Sequence, residues 1–275
     1  MFLLVRKFEK LFSSSNDGVG VYVPILHDIS THQVDRLKDL LMLLQEKYIF
    51  IDPQNFALYL NGEYELENNH ILLTFDDGYY SNYLIAKEVL GPLGIKSIFF
   101  VSTGFIDSGS RTMQKNFIKH NINEGEYSPD LNVNNLKPMT WENLSELVNI
   151  GHTIGAHTIN HFRLSEINED NLLKEEIIVS GNRIDEMLRI KVEHFAFPFG
   201  DIGSIDKKAL ELIRKRYKYI YSAVRGRNSY GTNPFAIRRE AMDIGDSYEY
   251  NRFVAGGGLS FYYWRARRRL DAMIT

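Results

Sequence analysis

The sequence predicts an α/β fold of parallel strands joined by helical crossovers, closed into a barrel or opened into a doubly wound sheet. Short apolar, β-rich runs alternate with stretches of helical periodicity from residue 19 to about residue 224. Four of these runs end in polar or turn-forming residues: His27-Asp28, Asp76-Asp77-Gly78, the segment from His157 to His161, and Pro198-Phe199-Gly200-Asp201. In parallel α/β folds the C-terminal strand ends build the active site, so four such ends point to one shared pocket. A chain of 275 residues, 44% of them hydrophobic, is enough for one large core.

The elements follow in order. Residues 19–26 form a buried strand that delivers His27 to its mouth. Leu37, Leu40, Leu41 and Leu44 recur at helical spacing, so a helix covers residues 34–47. A second strand at 71–75 runs into Asp76-Asp77-Gly78, and the helix after it stops at Gly91-Pro92. Residues 97–102 are the third strand. Residues 107–138 are polar, with Ser108-Gly109-Ser110 and Ser128-Pro129, and read as a long insertion. A helix from Thr140 to near Gly151 leads to a short strand at 152–156 and so to His157. A helix over about 168–189, a strand at 194–197, a helix over about 204–215 and a strand at 219–224 complete the alternation. No internal repeat is visible.

Composition excludes several classes. A formal net charge of −3 supplies no basic field, which argues against nucleic acid as a partner. The chain has no cysteine, so a metal must be held by imidazole and carboxylate. Residues 1–7 place their charge after a short apolar stretch, unlike a secretory signal, and no run reaches the ~20 apolar residues of a membrane span. Cytoplasm is the default expectation.

Asp76 and Asp77 leave the same strand end and repel when both are ionised, so a cation or a proton is expected beside one of them; Asp-Asp-Gly is also ordinary turn chemistry. His157 and His161 stand four apart, which on a helical turn places both imidazoles on one face. One carboxylate and two imidazoles with open positions form a catalytic-metal set for Zn²⁺ or another first-row divalent ion.

These motifs together resemble a known family. Residues 73–78 (Leu-Thr-Phe-Asp-Asp-Gly) look like the T-F-D-D-G signature of the polysaccharide deacetylases (NodB-like, carbohydrate esterase family 4). His157-Thr158-Ile159-Asn160-His161 resembles their H-[ST]-x-x-H motif, and Pro198-Phe199-Gly200 their P-[FY]-G turn, in the expected order over roughly residues 19–240. The resemblance implies a single-domain distorted (β/α)7 barrel at 19–255, preceded by an N-terminal segment at 1–18 and followed by a C-terminal aromatic and basic segment at 256–275. It implies that Asp77, His157 and His161 bind a divalent metal, Zn²⁺ in the first instance and Co²⁺ or Ni²⁺ otherwise, with Asp76 as general base. It also implies that the Phe199 N–H, in a turn shaped by Pro198, donates to the oxyanion. The expected reaction removes acetyl from an N-acetylated amino sugar in a polysaccharide, an oligosaccharide or a lipid-linked precursor of a cell-surface glycan. Deformylation or cyclic-amide hydrolysis on the same fold, and a carbohydrate-binding pseudoenzyme, are the rival expectations.

Two departures from the family pattern stand out. Ala196 occupies the place, two residues before the proline, where many members carry an arginine that orients the base, so Arg238 or Arg239 is expected to replace it. The family's late acid histidine is missing, since no histidine follows His194. His27, in Pro24-Ile25-Leu26-His27, resembles the N-terminal histidine of the poly-N-acetylglucosamine deacetylase branch and is the candidate acid; a capping or packed histidine is the plainer reading. His152 and His194 read as structural, His32, His70 and His120 as loop residues, and Trp141 as a helix anchor. The aromatic and arginine-rich end (259–270) reads as a terminal helix packing its aromatics on the body. The sharper alternative is a peripheral contact with the membrane's inner face.

Overall fold

The computed structural model describes residues 18–124 and 136–274. The expected N-terminal segment therefore lies, apart from Gly18, outside the described residues, as does Ser128-Pro129.

The first apolar run is not one strand but two. Gly20–Tyr22 (β1) and Pro24–Leu26 (β2) are split at Val23, and the chain steps from one sheet to another there. Pro24 has no N–H to give a ladder and stands at the first position of its strand. After Ile49–Phe50 (β3) the same split recurs at Leu72, between His70–Ile71 (β4) and Leu73–Phe75 (β5). His70 is thus a buried strand residue rather than a loop residue. The remaining strands are Ser97–Val101 (β6), Thr153–Ala156 (β7), His194–Ala196 (β8), Tyr219–Tyr221 (β9), Asn228–Ser229 (β10) and Glu240–Ala241 (β11).

β11-β2-β5-β6-β7-β8-β9 form an all-parallel sheet, and β10-β1-β4-β3 a smaller one. The large sheet curls until its edges meet. A parallel bridge joins Tyr221 to Ile237, Arg239 donates its N–H to the Val224 carbonyl at 3.2 Å, and Glu240 donates to Val23 at 2.8 Å. The segment 237–241 thus lies between β9 and β2, giving the distorted (β/α)7 barrel.

Strand residues alternate between two cores, as a sheet buried on both faces requires. Ile98, Phe100, Tyr219, Tyr221 and Ile237 share the inner cluster; Phe99, Val101, Phe75, Ile154 and Phe195 pack outward against the helices. The Phe100 ring lies against Gly155 on β7, where a Cβ would collide with it, so that position needs glycine. The helix Val34–Gln45 buries Leu37, Leu40, Leu41 and Leu44, the residues its periodicity selects.

Two segments differ from expectation. Pro53–Leu60 is a helix outside the expected set, started by Asp52, whose carboxylate accepts from the Asn55 N–H at 2.8 Å, with Pro53 at the first turn. Within the expected insertion, Arg111–Phe117 is helical behind a Ser110 cap and continues as a π-turn over Ile118–Ile122. Phe117 stacks on Phe105 at 5.3 Å, which ties this segment to the barrel and brings Asn121 to the strand ends.

Candidate metal centre and active site

The sharp turn after β5 throws its two aspartates in different directions. Asp77 takes a left-handed backbone (φ 74°), and Gly78 follows at φ 95°. Thr158 (φ 65°), His161 (φ 59°) and Phe199 (φ 62°) share that conformation, which non-glycine residues rarely adopt. Four strained backbones at three strand ends mark a site where orientation is held against local preference.

Asp77, His157 and His161 each offer a ligating atom, and the three atoms lie within 4.8 Å of one another. Asp77 Oδ1 is 3.6 Å from His157 Nε2 and 3.3 Å from His161 Nε2. The histidines do not meet through a helical turn as expected. They sit in an irregular loop, and His161 owes its direction to a hydrogen bond from its N–H to Thr158 Oγ1 at 2.9 Å. His157 Nδ1 donates to the Ala196 carbonyl at 2.7 Å and His161 Nδ1 to the Asn121 carbonyl at 3.0 Å. A carbonyl only accepts, so each Nδ1 carries the proton and each Nε2 presents a lone pair.

All three groups are buried. Burial, reinforced by Asp76 and opposed by His27 and Arg239, pushes the Asp77 carboxyl up to about 6. Burial also pushes the His157 imidazole down to about 3 and lowers that of His161, so both are neutral. Among the described residues Asp77 Oδ1 has no hydrogen-bond partner. Three acceptors facing one another with no donor between them cost a few kcal/mol, on the order of 1–3 for the stranded carboxylate oxygen alone. A divalent cation relieves all three, so the donor set fits one.

Asp76 lives in the opposite environment. Burial alone would raise its carboxyl, but the charge and hydrogen bonds of Arg239 outweigh it and hold Asp76 below the usual range. Arg239 Nη1 and Nη2 reach the two carboxylate oxygens at 2.7 and 2.9 Å, while its Nε donates to the Ser222 carbonyl. Arg238, the other arginine expected to orient the base, turns the other way and pairs with Asp271 at 3.0 Å. The cause is strand alternation: Ile237 is buried inside the barrel, so Arg239, two residues on, shares its face and Arg238 does not.

His27 is exposed at the end of β2 and acts electrostatically on both aspartates. It borders a cavity of about 330 Å³ with Asp28, Gln33, Met242 and Ile244. Phe199 packs its ring 4.8 Å from that of His161, beneath the Arg163 guanidinium at 4.0 Å. Arg163 is fixed in turn by Glu124 at 2.6 Å and Asp201 at 3.1 Å. Phe199, Arg163 and Glu124 line, with His161, a cleft of about 530 Å³. Pro198 is buried behind the turn, and the Phe199 N–H donates to no acceptor among the described residues.

Residues that no motif marks complete the site. Glu176, fully buried in a π-turn at Glu175–Val179, accepts from the Ile159 N–H at 3.0 Å, the Asn160 N–H at 2.8 Å and the Asn160 side chain at 2.6 Å. It staples the loop between the two histidines. Its signal is periodicity: Leu173, Glu176, Ile177, Ser180 and Ile184 fall on one helical face, and that face is buried. His152 and His194 lie at the opposite ends of their strands, clear of the centre; His152 Nδ1 accepts from the Ser97 N–H and His194 Nδ1 pairs with the Tyr221 hydroxyl. Trp141 anchors its helix, donating to Asp107 at 2.7 Å.

The family model described as polysaccharide deacetylase matches residues 63–219, more than half of the chain. The chain belongs to the polysaccharide deacetylase family. The matched span holds Asp76, Asp77, His157, His161 and the Pro198-Phe199-Gly200 turn, whereas His27 and Arg239 lie outside it. Among curated proteins the chain is similar to YxkH of Bacillus subtilis (strain 168), 24% identical over 200 residues, covering 73% of this chain and 61% of that protein. The chain thus spans about three fifths of that relative. Among solved structures, IcaB from Ammonifex degensii is similar at 22% identity and a TM-score of 0.64, over 87% of this chain and 98% of that one. The deacetylase PplD of Streptococcus pyogenes, solved with acetate, matches at 19% identity and 0.62, over 85% and 96%. The BpsB deacetylase domain of Bordetella bronchiseptica matches at 18% and 0.64, over 82% and 97%. These likenesses establish the polysaccharide deacetylase fold.

Proposed function

We propose that this protein is a metal-dependent hydrolase that removes the N-acetyl group from an amino sugar within an oligosaccharide or polysaccharide. The observation that carries this is the unpartnered Asp77 Oδ1 facing two imidazole lone pairs, beside an aspartate held ionised by Arg239.

Asp77, His157 and His161 would hold the ion. A divalent cation there supplies Lewis acidity toward the acetyl carbonyl and toward a water molecule. Asp76, kept anionic by Arg239, takes the proton from the attacking water. The Phe199 N–H donates to the oxygen on which negative charge develops. His27 delivers a proton to the nitrogen as the C–N bond breaks, so the amine leaves neutral. Cavities that meet the site at His161 and Phe199 on one hand, and at His27 on the other, leave room for more than one sugar unit.

The test is acetate release from a panel of chito-oligosaccharides, nucleotide sugars and lipid-linked sugars. The chain is first stripped with chelator and then reloaded with Zn²⁺, Co²⁺ or Ni²⁺. Acetate release from a multi-unit substrate that depends on added metal is expected. Formate release instead would move the activity to deformylation, and neither metal binding nor turnover would leave a carbohydrate-binding pseudoenzyme.

A further inference from the structure

The expectation that the C-terminal aromatics pack on the body is not met. The helix Trp264–Ile274 docks through Leu270 and Ile274, with Ala266 and Met273 beside them. Phe261, Tyr262, Tyr263 and Trp264, on the 3-10 turn Ser260–Tyr263 and the first residue of the helix, are 66%, 77%, 36% and 44% exposed. Arg265, Arg268 and Arg269 are also exposed, and among the described residues no carboxylate pairs with them. The helix's own acid, Asp271, is taken by Arg238, and Arg267 turns inward to the carbonyls of Arg225 and Ser260.

This tip is a built feature. Glu240, fully buried, accepts from Ser260 Oγ at 3.1 Å, from the Gly226 N–H at 2.9 Å and from Arg225 at 3.0 Å, fixing the base of the turn. Gly257 takes φ 76° and sits where a Cβ would meet the Tyr22 ring. The scaffold thus presents a row of largely exposed aromatic side chains next to guanidinium groups that meet no carboxylate among the described residues, in a chain whose formal net charge is −3.

We propose that residues 261–269 form a peripheral docking surface for an anionic phospholipid bilayer. Tyr and Trp rings favour the headgroup layer, where the apolar body is shielded and the polar tip stays wet. Arginines beside them find lipid phosphates in the same plane, at about 1 kcal/mol each. A protein partner would have to offer an extended apolar shelf edged by three acids, whereas an anionic bilayer presents both everywhere. Among the described residues no helix is long and apolar enough to cross a membrane, so the contact is one of surface.

The experiment is flotation of the full chain with vesicles of phosphatidylcholine alone, or with about one third phosphatidylglycerol. Partitioning onto anionic vesicles is expected to exceed that onto neutral ones by about tenfold or more, and to weaken with salt. R265E/R268E/R269E and F261S/Y262S/W264S should each lose about tenfold, with metal binding unchanged as the control on folding. In a Trp141→Phe background, Trp264 fluorescence should shift to the blue only with anionic vesicles. Equal partitioning onto both vesicle types, full retention by either triple variant, or loss of vesicle binding in favour of a concentration-dependent dimer would overturn the proposal.

Discussion

Arg239 meets Asp76 side-on, Nη1 at 2.7 Å from Oδ1 and Nη2 at 2.9 Å from Oδ2, with the two side chains only 1% and 5% exposed. The fork closes on both oxygens, so the carboxylate is fixed in orientation as well as in charge. Arg239→Met leaves a buried carboxylate alone and is expected to cost about 3–5 kcal/mol of stability. Without the guanidinium the Asp76 carboxyl rises, so the acid limb of the pH–rate profile should move to higher pH. Urea unfolding and kcat/KM against pH check both, and an unmoved acid limb would remove Asp76 as the base.

Asp77 behaves in the opposite sense. Its carboxyl is raised to about 6, mainly by burial, against an ordinary value of 3.8. A raised acid destabilises the metal-free fold above about pH 6, and that penalty fades as pH falls toward the unfolded value. Asp77→Asn should therefore stabilise the metal-free chain at pH 7 by on the order of 2 kcal/mol. The same change should weaken Zn²⁺ binding by more than the roughly hundredfold that outer residues command. Calorimetric titration and melting of the metal-free chain test the two halves separately.

His27→Ala is expected to lower kcat on an N-acetyl sugar by about 10²–10⁴. On an acetate ester whose leaving group needs no proton, the loss should be far smaller. An equal loss on both substrates would contradict the role as acid.

Glu176→Gln replaces an acceptor that serves three N–H groups with one that can serve fewer. A stability loss of about 1–3 kcal/mol is expected, with a 10–100-fold loss in metal affinity as the histidine loop loosens. Loss of stability with metal affinity unchanged would limit Glu176 to a structural part.

His194 and His152, away from the centre, are pushed down to about 3 and about 4, mainly by burial. The unfolded chain protonates both near pH 6.5, and the folded chain does not until much lower. Stability is thus full above pH 6.5 and falls as pH drops toward 4, at up to roughly 1.4 kcal/mol per pH unit for each histidine. Urea unfolding of the metal-free chain at pH 7 and pH 5, with His194→Gln as comparison, measures it; a slope unaffected by that substitution would refute the assignment.

Asp76, Asp77, His157, His161 and the turn at Pro198 were legible because each ends an apolar run and because strand ends of parallel folds converge. Their partners were less so. Arg239 could have been separated from Arg238 by noting that Ile237 marks the inward face, but strand phase is visible only when one residue's side is known. The Asn121 carbonyl that orients His161 comes from residues 111–122, where Phe117 and Ile118 form a small apolar face that polar neighbours obscure. The splits at Val23 and Leu72 have no sequence mark beyond Pro24, since they arise from the curl of the sheet itself.

The seam at residues 237–241 has a consequence for the order in which the molecule is made. Arg239, which holds the Asp76 carboxylate ionised, arrives 163 positions after it, in the segment that closes the ring. Such a contact forms only after long-range closure, which is slow relative to local helix formation. Until residue 239 has been added to the chain, the carboxylate of Asp76 lacks this counter-charge. The pair that keeps Asp76 ionised therefore forms in the same event that closes the barrel.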